Sequence, residues 1–345
     1  MRKISQKAVG AILLVVFMVV LPGAAFSKSY EYVWKSGSLV PKGVGYATQI
    51  NEILVPGFLK ATDGKLILKT YFGGIMGDDE DVLKKVRIGQ LQAAGSGAQL
   101  ALLVCPDMGV TNLPFLFDNY DEVDHVRKAM YPVFDEIMQQ EGLKLLLWLD
   151  QGFDQIYSVN QPISSLESFK QAKFLTWSGD IEVAFLEAMG SSAFPVNVPE
   201  FNSAIRQGLA DAYIGPPIWG VSTQMYSIIR YINKTDIRYS PAVFFVSMEA
   251  WEALPPQYQK NIMEQREGWQ TPFIQGSRAD NQKCMDAMFN YGVQEAIMPT
   301  EVLEAMKTRS RPIYMQMAGK VYSRKILDQT LDLLEEYRAG KKGTN

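Results

Sequence analysis

Histidine and cysteine are almost missing from this 345-residue chain, which holds one His and two Cys. Their scarcity removes whole classes of chemistry. Zinc sites draw on several His or Cys side chains at short spacings, and nucleophilic triads take a His as base, so either would have to be built around His125 alone. His125 falls in a stretch of helical periodicity and reads as a surface or packed helix residue. Cys105 and Cys284 lie far apart and make no disulfide framework; two free thiols are preferred to one long-range bridge. An excess of basic residues is missing too. Lys and Arg number 34 against 37 Asp and Glu, a formal net charge of -3, so nothing is left over to neutralise phosphates and nucleic acid is set aside as a partner. No HExxH, GxSxG or phosphate-loop pattern occurs, and Gly43-Val44-Gly45 does not continue as a dinucleotide fingerprint. No catalytic machinery, cofactor site or metal site is visible, and the chain is not expected to be an enzyme.

Long apolar runs are absent after the first few turns of chain. Arg2, Lys3 and Lys7 precede an uncharged apolar run over 8–21 and a small-residue stretch to Ser27, the pattern of a cleavable secretory signal at 1–27. About 14 apolar residues fall short of the roughly 20 that span a bilayer. The mature chain is therefore expected outside the cytoplasm, in the periplasm. Its composition, 47% hydrophobic and 21% charged, is that of a globular protein, with length for two domains of about 150 residues each. Short apolar runs at 30–35, 65–72, 91–95, 143–149, 173–177, 212–214 and 242–246 read as strands. Helical patterns at 45–61, 78–88, 165–170, 181–189 and 201–207 alternate with them, which argues an α/β architecture. A second sheet domain is expected to begin near Gly152. Residues 256–291 read as helical with a kink or break near 268–272, because Pro272 lacks a donor and clashes with the preceding turn. The tail at 339–345 is expected to fray.

Three blocks then become recognisable: residues 79–91 around Asp79-Glu80-Asp81-Val82-Leu83, Leu113-Pro114-Phe115-Leu116-Phe117, and Ala204-Ile205-Arg206-Gln207-Gly208 running on to Ala212. With Gly152-Phe153, Gln161-Pro162-Ile163, Ala188-Met189-Gly190 and Ser247-Met248-Glu249-Ala250-Trp251, all in order, the mature chain resembles the substrate-binding proteins of tripartite ATP-independent periplasmic (TRAP) transporters, the DctP family. The resemblance implies a two-lobed periplasmic binding protein fold with a hinge and a long C-terminal helix. It further implies a small-molecule ligand clamped between the lobes and delivery to the TRAP membrane subunits. Lobe I would take 28–151 and about 241–280, lobe II 152–240 and about 281–338.

Departures from the family pattern carry information of their own. Members that bind organic acids place an arginine, able to fork onto a carboxylate, where this chain has Leu175. A basic residue often follows the Gly-Phe pair, and here Asp154 stands there. The expected asparagine is replaced within Tyr213-Ile214-Gly215-Pro216-Pro217. Trp177-Ser178-Gly179-Asp180 instead looks like a branch of the family that works with a periplasmic TPR-repeat protein. The ligand contacts expected by position are Ser96, Phe115, Phe117, Phe153, Leu175, Trp177, Tyr213 and Trp219, an aromatic and apolar wall suited to an apolar or weakly polar molecule. Core packing is the competing reading for each Phe. Asp180 is expected to cap a helix and Asp154 to lie at the surface. The alternatives are an organic acid held by a relocated arginine such as Arg206 or Arg238, or a sensing and interaction protein. An acid/base pair of Asp154 and Asp180 finds no support in their spacing.

Overall fold

Two strands decide the architecture. The computed structural model describes residues 30–43, 45–177 and 179–342, and the expected signal segment at 1–27 lies outside them. Among these residues no helix is long and apolar enough to cross a membrane. The strands are β1 (Tyr32–Gly37), β2 (Leu66–Tyr71), β3 (Ala93–Ser96), β4 (Leu143–Ser158), β5 (Lys173–Thr176), β6 (Ser192–Pro195), β7 (Ala212–Gly215), β8 (Tyr231–Ser247) and β9 (Gln294–Glu295). They form one sheet in the order β2-β1-β3-β8-β4-β7-β5-β6, with β9 beside β8. β1 to β3 pair in parallel, as do β5 to β7 in the order β6-β5-β7. The antiparallel pair β4 and β8 joins these two halves, and its length lets each strand belong to both. Residues 243–246 of β8 pair with β3, whereas 155–158 of β4 pair with β7.

Side chains alternate across the two faces of these strands. On β8, Phe245 and Val243 join a core that runs through both halves, together with Phe134 and Trp148 of the first half and Phe169 and Phe174 of the second. On the other face Phe244 and Val246 join a separate cluster with Trp34, Phe58 and Trp269. Further along that face a third cluster gathers Tyr157, Phe201, Tyr213 and Met288. The helix Pro256–Tyr291 ties the last two together, giving Trp269 and Phe273 to one and Met285 and Met288 to the other.

That helix corrects one expectation. It continues through Pro272 as a single 36-residue element, with no break at 268–272. The carbonyl that Pro272 cannot serve belongs to Gly268, an exposed residue, so it is left open to solvent rather than buried without a partner. Trp269 and Phe273 are buried on either side and hold the segment by packing. The C-terminal helix Arg324–Lys342 likewise runs through most of the tail expected to fray. Cys105 and Cys284 are both free thiols, and burial pushes the Cys105 thiol up to about 12.

Where β4 passes from one half to the other it is irregular, with register shifts at 150/152 and 154/156. Gly152 sits there at φ +115°, where an added Cβ would meet the Asn281 amide at 2.6 Å. Beside it Asp150, fully buried, accepts from Tyr239 Oη at 2.6 Å, from Arg278 Nε at 2.7 Å and from the Arg127 guanidinium. Asp124 bridges the same two arginines from the helix Tyr120–Gln140. Removing one member of a buried, hydrogen-bonded charge group leaves its partner uncompensated. Asp150→Ala is therefore expected to cost about 3 to 5 kcal/mol in denaturant unfolding. Lys65→Ala, which breaks a half-exposed pair with Glu31, should stay within about 1 kcal/mol.

Candidate functional site

Between the two clusters on the divided face lies a cleft. Its walls are the segments that leave the carboxyl ends of the parallel strands: Leu39–Pro41 after β1, Ser96–Gln99 after β3, Trp177 after β5 and Pro216–Trp219 after β7. Ligands of α/β sheets bind at this end, where chain leaves the strands on either side of a topological switch. Tyr46, Asp79 and Gln151 complete the surface, and a smaller apolar recess behind Tyr46 runs on to Ile50, Phe244 and Phe273. The rim continues past Asp180 and Glu200 on one side and past Gly73 and Pro199 on the other.

Gln151, at the crossing of β4, fixes the floor. Its side-chain Oε1 accepts from the Ala98 amide at 2.8 Å, and its carbonyl accepts from Tyr46 Oη at 2.8 Å and Asn281 Nδ2 at 2.6 Å. Asn281 Oδ1 in turn accepts from the Ile218 amide at 3.0 Å. One residue of the long helix thus holds the floor to the opposite wall. Gly97 is required here, because a Cβ would run into the Gln151 amide at 2.1 Å.

The aromatic wall is built in layers. Trp177 and Trp219, both half-buried, stand 5.4 Å apart, with Trp177 edge-on to Phe201 at 4.3 Å and 6.2 Å from Tyr213. Tyr213 stacks on Tyr157 at 4.6 Å one layer further in. Gly215 makes room for this arrangement: a Cβ there would touch the Trp177 ring at 3.1 Å. The indole therefore takes space that a side chain at 215 would need.

Charge in the cleft is of one sign. Asp79, Asp180 and Glu200 line it, and among the described residues no Lys, Arg or His does. Asp79 is 2% exposed, and burial pushes its carboxyl up from 3.8 to about 7, with a Ser96 hydrogen bond opposing and Asp78 adding to the shift. The buried polar atoms of the described walls that lack a hydrogen-bond partner include the acceptors Asp79 Oδ1 and Gln99 Oε1 and the donor Trp219 Nε1.

A two-half α/β sheet bridged by a long helix, with a cleft at the switch point, is the frame of a binding protein, and the comparisons agree. The sequence pattern of the bacterial extracellular solute-binding proteins, family 7 (DctP), matches residues 57–320. The chain belongs to this family. Its members are solute-binding proteins of TRAP transporters, not enzymes. A solute-binding protein of Chromohalobacter salexigens is 24% identical over 264 residues, covering 74% of this chain and 76% of its own. The 2,3-diketo-L-gulonate-binding periplasmic protein YiaO of Escherichia coli is 22% identical over 257 residues, 72% of this chain and 75% of its own. A TRAP periplasmic solute-binding protein of Haemophilus influenzae with bound L-gulonate superimposes with a TM-score of 0.81 at 19% identity, covering 88% of this chain and 99% of its own. The sugar-acid-binding protein of Advenella mimigardefordensis in complex with galactonate gives 0.83 at 21% identity, over 89% of this chain and 99% of its own.

Of the contacts expected in this DctP-family chain, Ser96, Trp177 and Trp219 line the cleft. Tyr213 and Leu175 are buried behind them, in the third core cluster. The three Phe side chains pack elsewhere: Phe115 on Phe185 at 6.2 Å, Phe117 on Tyr239 at 5.8 Å and Phe153 on Tyr120 at 4.8 Å, all in or against the continuous core. Asp154 is a correction. It is 1% exposed and accepts from Arg238 Nε at 2.8 Å and Ser240 Oγ at 2.6 Å. Burial raises its carboxyl pKa, and Arg238 pulls it back. Asp180 is the first residue of the helix Asp180–Ala188 and not its cap, a place taken by Gly179 at φ +71°. Tyr46, Asp79, Gln99, Gln151 and Ile218 were not legible as site residues. Asp79 reads as a helix-start acid, but Asp78 is the cap, accepting from the Asp81 amide, which leaves Asp79 turned to the cleft.

The raised Asp79 pKa makes a stability statement. The folded state holds this proton more tightly than the unfolded chain, so the favourable contribution is full below about pH 4 and is lost as pH rises through about 7. The melting temperature should therefore fall between about pH 4 and pH 7, and Asp79→Asn should flatten that fall, as read by calorimetry.

Proposed function

We propose that this TRAP-family protein is an extracytoplasmic receptor that closes its lobes, meeting near residues 151–152 and 240–241, on a small molecule with an apolar or weakly polar body. It then presents that molecule to membrane subunits driven by an ion gradient. The observation that carries the ligand class is the cleft lining: aromatic and apolar side chains from both walls, with acids but, among the described residues, no Lys, Arg or His. A carboxylate taken from water into such a cleft needs a charged partner or several donors to replace its hydration. The arginines that could relocate are engaged. Arg238 is 3% exposed between Asp154 and Glu182, and Arg127 and Arg278 are held by Asp150 and Asp124. Arg206 is exposed on the helix Phe201–Arg206 and does not line the cleft.

A second reading, an organic-acid receptor, is favoured by the relatives, since solved neighbours hold L-gulonate and galactonate. In this chain it would rest on neutral donors such as Ser96 and Trp219 Nε1. The Trp177 to Asp180 segment adds a periplasmic TPR-repeat protein to the proposed partners.

Calorimetry against gulonate, galactonate and succinate, and against uncharged molecules of similar size, separates the readings. The first reading expects the uncharged series to bind and the acids to fail; tight, salt-sensitive binding of an acid overturns it. Whichever ligand binds, small-angle scattering should show a more compact particle at saturation, because only the closed state lets both walls touch it. Trp177→Ala should weaken an apolar ligand by about 1 to 3 kcal/mol. If the variant binds as well as the parent, the ring is no part of the site.

A further inference from the structure

The unpaired atoms on the cleft wall say more about the ligand than its apolar lining does. Asp79 Oδ1 is buried without a partner, in a residue that lines the same cleft as the rings of Tyr46, Trp177 and Trp219. A buried acceptor with nothing to accept from is costly in a free protein, and it is explained when a bound molecule brings the donor. Gln99 Oε1, on the same surface, is a second acceptor in the same condition. The rim acids Asp180 and Glu200 add negative charge at the mouth, and no cationic side chain of the described residues reaches these walls. Aromatic faces around a carboxylate, with no base nearby, form a surface complementary to an organic cation, which the ring quadrupoles and the carboxylate attract together.

We propose that the ligand carries an ammonium group, held by Asp79 within the Tyr46, Trp177 and Trp219 rings, with Gln99 as a second acceptor. The inference rests on the apolar reading of the cleft and narrows it. The apolar body of the ligand then lies against Ile218 and Val40, and Trp219 Nε1 is free to serve one neutral acceptor on it. Asp79 acts here as a specificity-determining residue. It selects the sign of the ligand's charge, which the apolar wall cannot do.

Three probes that share one apolar body and differ in the head group test this: cyclohexylmethylamine, cyclohexylmethanol and cyclohexanecarboxylate, measured by calorimetry on the full mature chain. The amine is expected to bind about tenfold or more tighter than the alcohol, and the carboxylate weakest of the three. Asp79→Asn should remove the advantage of the amine over the alcohol, since the amide keeps the shape and loses the charge. Trp219→Leu should weaken the amine more than the alcohol, because the cation loses a ring face. Equal binding of amine and alcohol overturns the ammonium assignment and leaves the apolar reading standing. If none of the three binds, the apolar reading itself fails. Should Asp79→Asn not fold, the ranking of the three probes on the unaltered protein decides alone.

Discussion

Asp150 is the residue on which the arrangement turns. A carboxylate with no exposure has to be surrounded by donors, and here the donors come from the helix Tyr120–Gln140, from β8 and from the helix Pro256–Tyr291. These are the elements that must stay in register where the sheet passes from one half to the other. The neighbouring irregularity, with Gly152 in a backbone conformation that side chains rarely adopt, lets β4 change direction just where the charges fix it. One step further along, Gln151 turns the same crossing into the floor of the cleft. The position of the binding surface is thus set by the strand that joins the halves and not by either half alone.

A second consequence is electrostatic. Arg127, Arg238 and Arg278 are each committed to acids inside the fold, so the positive charge of the chain near the sheet is spent on structure. Proteins with the same fold at a TM-score near 0.8 hold sugar acids. Leu175, the position where the family resemblance implies an arginine in organic-acid binders, is 1% exposed among Phe201 and Tyr213. At Gly215 the space that a side chain would need is taken by the Trp177 ring.

The short elements were legible in the sequence because their apolar residues repeat cleanly. The strands at β1, β2 and β5 and the helices Asp79–Arg87 and Asp180–Ala188 all fall within a few residues of their expected places. β4 and β8 were read as strands under half their length. Asp150, Asp154, Asn233 and Arg238 interrupt the apolar pattern, and only the ion pairs and hydrogen bonds they form in the fold explain why these polar residues are buried. The same blindness hid the site. Tyr46, Asp79 and Gln151 are more than 100 positions apart at the extremes and carry no local signature; they meet because the sheet brings β1 beside β3 and, across β8, brings β4 near both. Phe115, Phe117 and Phe153 misled in the opposite direction, since family position placed them near the ligand and packing drew them into the core.

The bridging helix also governs the order in which this protein can be assembled. Trp34, Phe58 and Leu66 come from the first fifth of the chain, yet their cluster is closed by Phe244, Trp269 and Ile274. Until those late segments arrive, the first lobe has an open apolar face and lacks one strand of its sheet, so it cannot mature during synthesis as an independent unit. Contacts of such long sequence separation form slowly, and they make the two lobes gain or lose their structure together. A nascent chain of this topology lacks the residues that complete its first core cluster until roughly four-fifths of it has been made.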